Sequence, residues 1–386
     1  MGNNAAHNPI VTLAADRATA DVSFAVEAVS SAFASGGDAA LGFVSDATTV
    51  TIRTDGTHDF GSVGPELVAL FDATLTTEAG DVAPILGPNT VSDDGNLPVQ
   101  NIPEMPGGVG YAMTRSRGGF QVNTTPHTRG FESRTYYWPA ANRIGANAYL
   151  LDPATDGDNK DWQIKPVWNM ADGNFGGDDT NFFMVTWEKL YHINGGGSWK
   201  QNTLLSTNSL ATIYGPSLVV QNTAPISDEP LNEPYTTEFL YDQVDIDAPG
   251  QAFYETFTRS PSIASHYGQE IKSGLTLHEP TGNTRLINRF SYPGYLRGFS
   301  YSNSWNTVEG EMYKAAGPGA ACRIVIANSS TLDTATKTTI LEVTSWTSSQ
   351  VTAKLRGGWW NLADLSGKYF CVVGTDNRQI GTGVQI

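Results

Sequence analysis

Near the end of the chain Gln350, Thr352 and Lys354 alternate with Val351, Ala353 and Leu355. That is the period-two signature of a strand with one wet face and one core face. A second strand is predicted over 368–373, where Tyr369, Cys371 and Val373 fall on one face and Phe370 and Val372 on the other. Gly374, Asp376 and Asn377 then supply turn chemistry. A third strand is predicted over 342–346. Short strands punctuated by turns are enough for a small sandwich over residues 319–386.

The pattern upstream is also β. Residues 1–20 show little periodicity and read as an arm that needs a partner. Residues 21–66 read as a small β-rich module: TTVTIRT around Val50 and Ile52 is a strand, VSFAVEAV is compatible with a short helix, and GPELVALFDATL beyond HDFG reads as a linker. From 67 to 318 no helix-period run exceeds a few turns. Strands are predicted instead near Phe120, Tyr136, Trp162, Phe182, Tyr214, Phe239, Phe253, Ile287 and Val308, separated by loops of Gly, Pro, Asn and Asp. Such a series fits an antiparallel jelly-roll sandwich, whereas a parallel sheet would need crossover helices. The fold class expected is therefore all-β, a jelly roll with small sandwich modules at one or both ends. No fixed-period repeat suggests a propeller or β-helix.

The chain has 386 residues and a formal net charge of −16. That balance argues against a nucleic-acid backbone or an anionic membrane as partner, since both demand concentrated Lys and Arg. No lysine precedes Lys160, and arginine used sparingly suits bidentate recognition and ion pairs. No apolar run is long enough to span a bilayer, and MGNNAAHNPIVTLAADRATADV lacks the basic start and apolar centre of a secretion signal. The expectation is either that a signal has been trimmed away or that the protein leaves its cell by another route, such as lysis. Cys322 and Cys371 stand in predicted strands of one region, where they either pair or remain buried thiols.

An early β-module ending in HDFG, a Trp-rich jelly roll, and a final TSWTSSQVTAKL with YFCVVGTDN together resemble a layout of tailed-phage and marine viral proteins. In those proteins a concanavalin-like (laminin-G-like) jelly roll sits beside immunoglobulin-like domains on the virion surface. The resemblance implies a solvent-facing virion component (decoration, fibre or adhesion protein) that binds surface glycans. It also implies other virion proteins as partners, homo-oligomers, and an N-terminal arm used for docking.

Candidate chemistry falls into three groups. Asp152, Asp156, Asp158 and Asp161 crowd one loop, and Asp178 and Asp179 a second. Oxygen ligands at short irregular spacing suit Ca²⁺, although Asp, Asn and Gly also form turns. Trp199 follows the loop Asn194–Gly197 and, with Tyr191, Trp305 and Tyr301, is a candidate for stacking on sugar C–H faces.

The alternative expectation is a polysaccharide lyase or glycoside hydrolase. GEMYKAAG, with Tyr313 and Lys314, is similar to the YxKxG element of alginate lyases, and Gln163 and Arg297 would neutralise a uronate carboxylate. The sequence departs from that family: the expected QIH or QVH is QIK at 163–165, and the R-[ST]-E-L motif is missing, with only ESR at 132–134. Glu311 stands two residues beyond Glu309 in VEGEMY, as a hydrolase pair would, or as two carboxylates on a wet strand face. The enzyme reading requires Tyr313, Lys314, Arg297, Gln163 and Glu311 to converge on one groove. Six scattered histidines offer no zinc spacing, and no nucleophile elbow or phosphate loop is present.

Overall fold

The structure is a computed structural model that describes residues 24–28, 49–54, 59–72, 85–86, 90–92, 99–112, 120–137, 161–171, 183–192, 198–207, 218–221, 233–245, 251–262, 266–272, 287–292, 295–297, 308–361 and 365–386. Among the described residues twenty-five strands form four antiparallel sheets. The architecture is all-β, as the alternation predicts.

The nine-stranded sheet combines β3 (Glu66–Asp72), β4 (Ile85–Leu86), β6 (Val99–Asn101), β7 (Val109–Ala112), β9 (Arg129–Tyr137), β14 (Pro234–Asp245), β15 (Gln251–Arg259), β16 (His266–Lys272) and β19 (Val308–Ala316). Its main path runs β16-β15-β14-β9-β19-β3-β4. The eight-stranded sheet combines β5 (Thr90–Ser92), β8 (Phe120–His127), β10 (Asp161–Ala171), β11 (Phe183–His192), β12 (Ser198–Thr207), β13 (Leu218–Gln221), β17 (Ile287–Tyr292) and β18 (Tyr295–Arg297). The two sheets meet where Glu66 on β3 accepts from Thr124 Oγ1 at 2.8 Å and contacts His127 Nε2 at 2.7 Å, both from β8.

Two four-stranded sheets make the remaining sandwich. One runs β1 (Phe24–Ala28), β2 (Thr49–Thr54), β23 (Gln350–Lys354), β22 (Glu342–Trp346). The other runs β21 (Thr338–Ile340), β20 (Arg323–Ala327), β24 (Tyr369–Val373), β25 (Gln379–Gln385). Val351, Ala353 and Leu355 are buried and Lys354 is exposed, as the period-two pattern requires.

Three expectations are corrected here. Residues 21–66 and 319–386 are not two separate modules. Val50 and Ile52 of β2 pair with Ala353 and Val351 of β23, and they share one apolar core with Ile324, Ile326, Phe370 and Val372. The β1 stretch, compatible by sequence with a helix, is a strand because Val26 lies opposite Ile52 in that sheet. The stretch read as a linker is β3, which pairs along β19 from Glu66 to Asp72. The predicted strand near Tyr214 lies outside the described residues.

The β20–β24 sheet is covered on both faces. Ile324, Ile326, Phe370 and Val372 point into the sandwich. Val325, Ala327, Cys371 and Val373 point the other way and join Leu70, Phe131, Leu240 and Tyr313 of the nine-stranded sheet in a second apolar cluster. The C-terminal sandwich therefore lies flat on one face of that sheet. Among the described residues no helix is long and apolar enough to cross a membrane.

Candidate functional site

The nine-stranded sheet presents to the C-terminal sandwich an apolar centre flanked by carboxylates. Glu238, Ser133, Tyr313 and Leu70 lie in one cross-strand row, and Glu255, Leu240, Phe131 and Ala315 in the next. Three arginines of the sandwich, Arg323, Arg356 and Arg378, and one of the sheet itself, Arg259 of β15, answer them. Arg323 Nη2 donates to Glu238 Oε2 at 2.9 Å, while Arg259 Nη2 lies 3.4 Å from Glu238 Oε1. Burial pushes the Glu238 carboxyl up, yet the two guanidiniums hold it below its ordinary value.

Arg378 pairs with Glu255, and Asn377 Nδ2 donates to the same carboxylate at 2.6 Å. Both residues arrive on the β24–β25 turn, which closes with Asn377 at φ 60 and with Asp376 Oδ1 accepting from the Arg378 N–H at 3.0 Å. Arg356 pairs with Asp72, reaches Glu311 Oε1 at 3.3 Å, and donates from Nε to the Ile340 carbonyl at 2.8 Å. Asp72, Glu238, Glu255 and Glu311 are thus matched in number by Arg259, Arg323, Arg356 and Arg378, all buried. Burial pushes the Glu311 carboxyl up to about 8, against the opposing pull of its hydrogen bond with Thr339.

The enzyme reading requires Tyr313 and Lys314 in one groove, and the two do not share one. Tyr313 and Lys314, neighbours on β19, occupy opposite faces. Tyr313 is 1% exposed within the apolar cluster, its ring 6.2 Å from that of Phe131, and burial raises its phenol. Lys314 is 1% exposed on the other face, where its Nζ is 2.6 Å from Glu132 Oε2. Glu132 also pairs with Arg134 at 2.7 Å. Glu311 is held in the seam by Arg356 rather than standing on a wet face. Gln163 and Arg297 belong to the other large sheet, where they are direct cross-strand partners.

The aromatic candidates fare differently. Tyr191 lies opposite Trp199 in the β11–β12 ladder and opposite Trp162 in the β10–β11 ladder, so the three occupy one row across adjacent strands. Asp161, His192 and Ser198 form the neighbouring row at the strand ends. Trp305, Tyr301, Asp152, Asp156, Asp158, Asp178 and Asp179 lie outside the described residues. Among the described residues no group of three His, Cys, Asp or Glu is placed to hold a metal.

The seam arginines were not singled out by sequence, since no motif marks them. Sparing use of arginine in an acidic chain was the available signal. Cys322 and Cys371 are both buried free thiols.

No protein-family model and no curated protein matches the chain. Among solved structures, it is similar to the alginate lyase Aly36B in complex with alginate trisaccharide, at 10% identity over 70% of this chain and 99% of that one, TM-score 0.32. It is also similar to the alginate lyase vAL-1 from Chlorella virus, at 9% identity over 79% and 97%, TM-score 0.32. A third is the marine PL-14 alginate lyase from Aplysia kurodai, at 7% identity over 54% and 83%, TM-score 0.33. Likeness of this depth carries no argument about substrate or activity. What the geometry itself defines is an all-β protein whose C-terminal sandwich is fastened to a larger sheet by buried ion pairs.

Proposed function

We propose that this protein is a non-enzymatic surface component of a virus particle that binds glycans through its eight-stranded sheet. The observation that carries the reading is the row Trp162, Tyr191, Trp199. Strands stand about 4.8 Å apart, so three ring-bearing positions span roughly 10 Å, the length of about two sugar units. Aromatic rings stack on sugar C–H faces, and one row of such positions on adjacent strands lies on a single face of the sheet.

The sealing of Tyr313, Glu311 and Lys314 supports a display role over catalysis, because a buried base cannot reach a polymer. Calcium on the Asp-rich loops that border β10 belongs to the same proposal, as do homo-oligomers, which would raise avidity from weak sites.

The test is a glycan array, followed by titration of a hit against Tyr191→Ala and Trp199→Ala. Loss of binding in both, with no release of shortened or unsaturated sugars, supports the reading, and immunogold labelling of particles locates the protein. Depolymerisation of a bound polysaccharide overturns it.

A further inference from the structure

The seam arginines and Lys354 are each paired with a carboxylate. Lys337 and Lys368 are held otherwise. The Lys337 ammonium stands 4.9 Å from the centre of the Trp359 ring, and the Lys368 ammonium 5.6 Å from that of Trp360. All four residues are half-buried.

Topology brings them together. Asn328 follows β20 and donates its N–H to the Lys337 carbonyl at 3.3 Å. Ala327 lies opposite Tyr369, which sets Lys368 beside Asn328 on the other flank. The two lysines therefore bracket one residue at the same end of the sheet, about 10 Å apart at Cα across two strand spacings. The turn after β23 delivers both indoles there. Trp360 packs against the sandwich core, and the Trp359 backbone N–H donates to Thr339 Oγ1 at 3.3 Å.

An indole face attracts an ammonium without using its N–H donors, so the lysines are positioned yet retain hydrogen bonds to give. In a chain of net charge −16, two cations set against rings, with no carboxylate ion pair among the described residues, form a local positive field. The spacing of the two lysine Cα positions is that of charges two units apart along a sugar polymer, and the indole rims offer apolar contact to the sugars between.

We propose that Lys337, Lys368, Trp359 and Trp360 form a binding site for an acidic polysaccharide at the end of the C-terminal sandwich. The inference rests on the glycan-binding reading but assigns a second site, remote in sequence from the aromatic row of the large sheet.

The full chain is titrated with dextran sulfate and with neutral dextran of equal length, following tryptophan fluorescence and affinity at low and at physiological salt. Dextran sulfate is expected to bind with a fluorescence change and to weaken with salt, while neutral dextran leaves the signal flat. The Lys337→Gln/Lys368→Gln variant is expected to lose about tenfold in affinity or more, since two charge-assisted contacts vanish. Lys354→Gln, on the same sandwich, should bind as the parent does. Tyr191→Ala/Trp199→Ala should retain dextran sulfate binding, which separates this site from the one on the large sheet. Three results would overturn the proposal: no binding by the parent chain, undiminished binding by the double lysine variant, or loss confined to the Tyr191/Trp199 variant.

Discussion

Arg323 of the C-terminal sandwich donates to Glu238 of the nine-stranded sheet at 2.9 Å while its guanidinium stacks 4.2 Å above the Phe131 ring. One side chain thus joins the two halves by charge and by an aromatic face. Burial makes such a pair costly to break, because the partner left behind keeps its charge out of water.

Replacing Arg323 by Ala is accordingly expected to destabilise by about 3–5 kcal/mol, less whatever Arg259 recovers for Glu238. Replacing both Arg323 and Glu238 by apolar residues of similar size should cost much less. Denaturant unfolding of the single and double variants checks the difference; equal losses would show that the seam does not depend on this pair.

The Glu311 carboxyl gives the seam a pH dependence. With its pKa near 8 in the fold against 4.5 for the free group, it is protonated in the folded chain and ionised in the unfolded one between those values. The folded state binds more protons across that window, so this group's contribution falls as pH rises from 4.5 to 8 and is flat above, by at most about 1.4 kcal/mol per pH unit. Glu311→Gln should remove that slope and be more stable than the parent at pH 8. A parent stability that rises through this window, with no change in slope in the variant, would sink the assignment.

Cys322 and Cys371 are buried and their thiols are pushed up to about 12, by burial first. The reactive thiolate is therefore scarce at neutral pH. A thiol reagent should label neither in the native protein and both in denaturant. Rapid native labelling of either would contradict the packing of Cys371 in the seam cluster.

Gly358 has φ +54, and a Cβ there would collide with Thr339 Oγ1 and Glu311 Oε1. Gly358→Ala is expected to cost more than about 2 kcal/mol, combining left-handed strain with displacement of a buried carboxylate. Thermal unfolding decides it; an unchanged midpoint would mean the turn relaxes freely.

Lys314→Met separates a structural lysine from a catalytic one. It strands Glu132 with Arg134 alone in a buried setting, so a loss of about 3 kcal/mol or more is expected, with glycan binding of the folded fraction unaltered. Loss of binding at unchanged stability would return Lys314 to a ligand site.

Alternation alone determined most strands. Val351, Ala353 and Leu355 are buried where the pattern requires, and β24 was legible residue by residue, because a strand's two faces are written locally at period two. Its second face was legible as apolar, but what covered it was not. The structure covers Tyr369, Cys371 and Val373 with Leu70, Phe131 and Tyr313.

Partnership between distant segments was decided only by the tertiary structure. Val50 pairs with Ala353 about three hundred residues later, and no local rule links two strands whose pairing depends on competing sheet edges. The fate of charge was equally hidden. Glu311 looks like a residue for the wet face of a strand until Arg356 is folded over it, and Tyr313 and Lys314 look like one catalytic element until the strand turns them to opposite faces. Sequence records a side chain's chemistry and its parity along a strand; whether that chemistry meets water, a ligand or a buried counter-charge depends on which surface comes to lie against it.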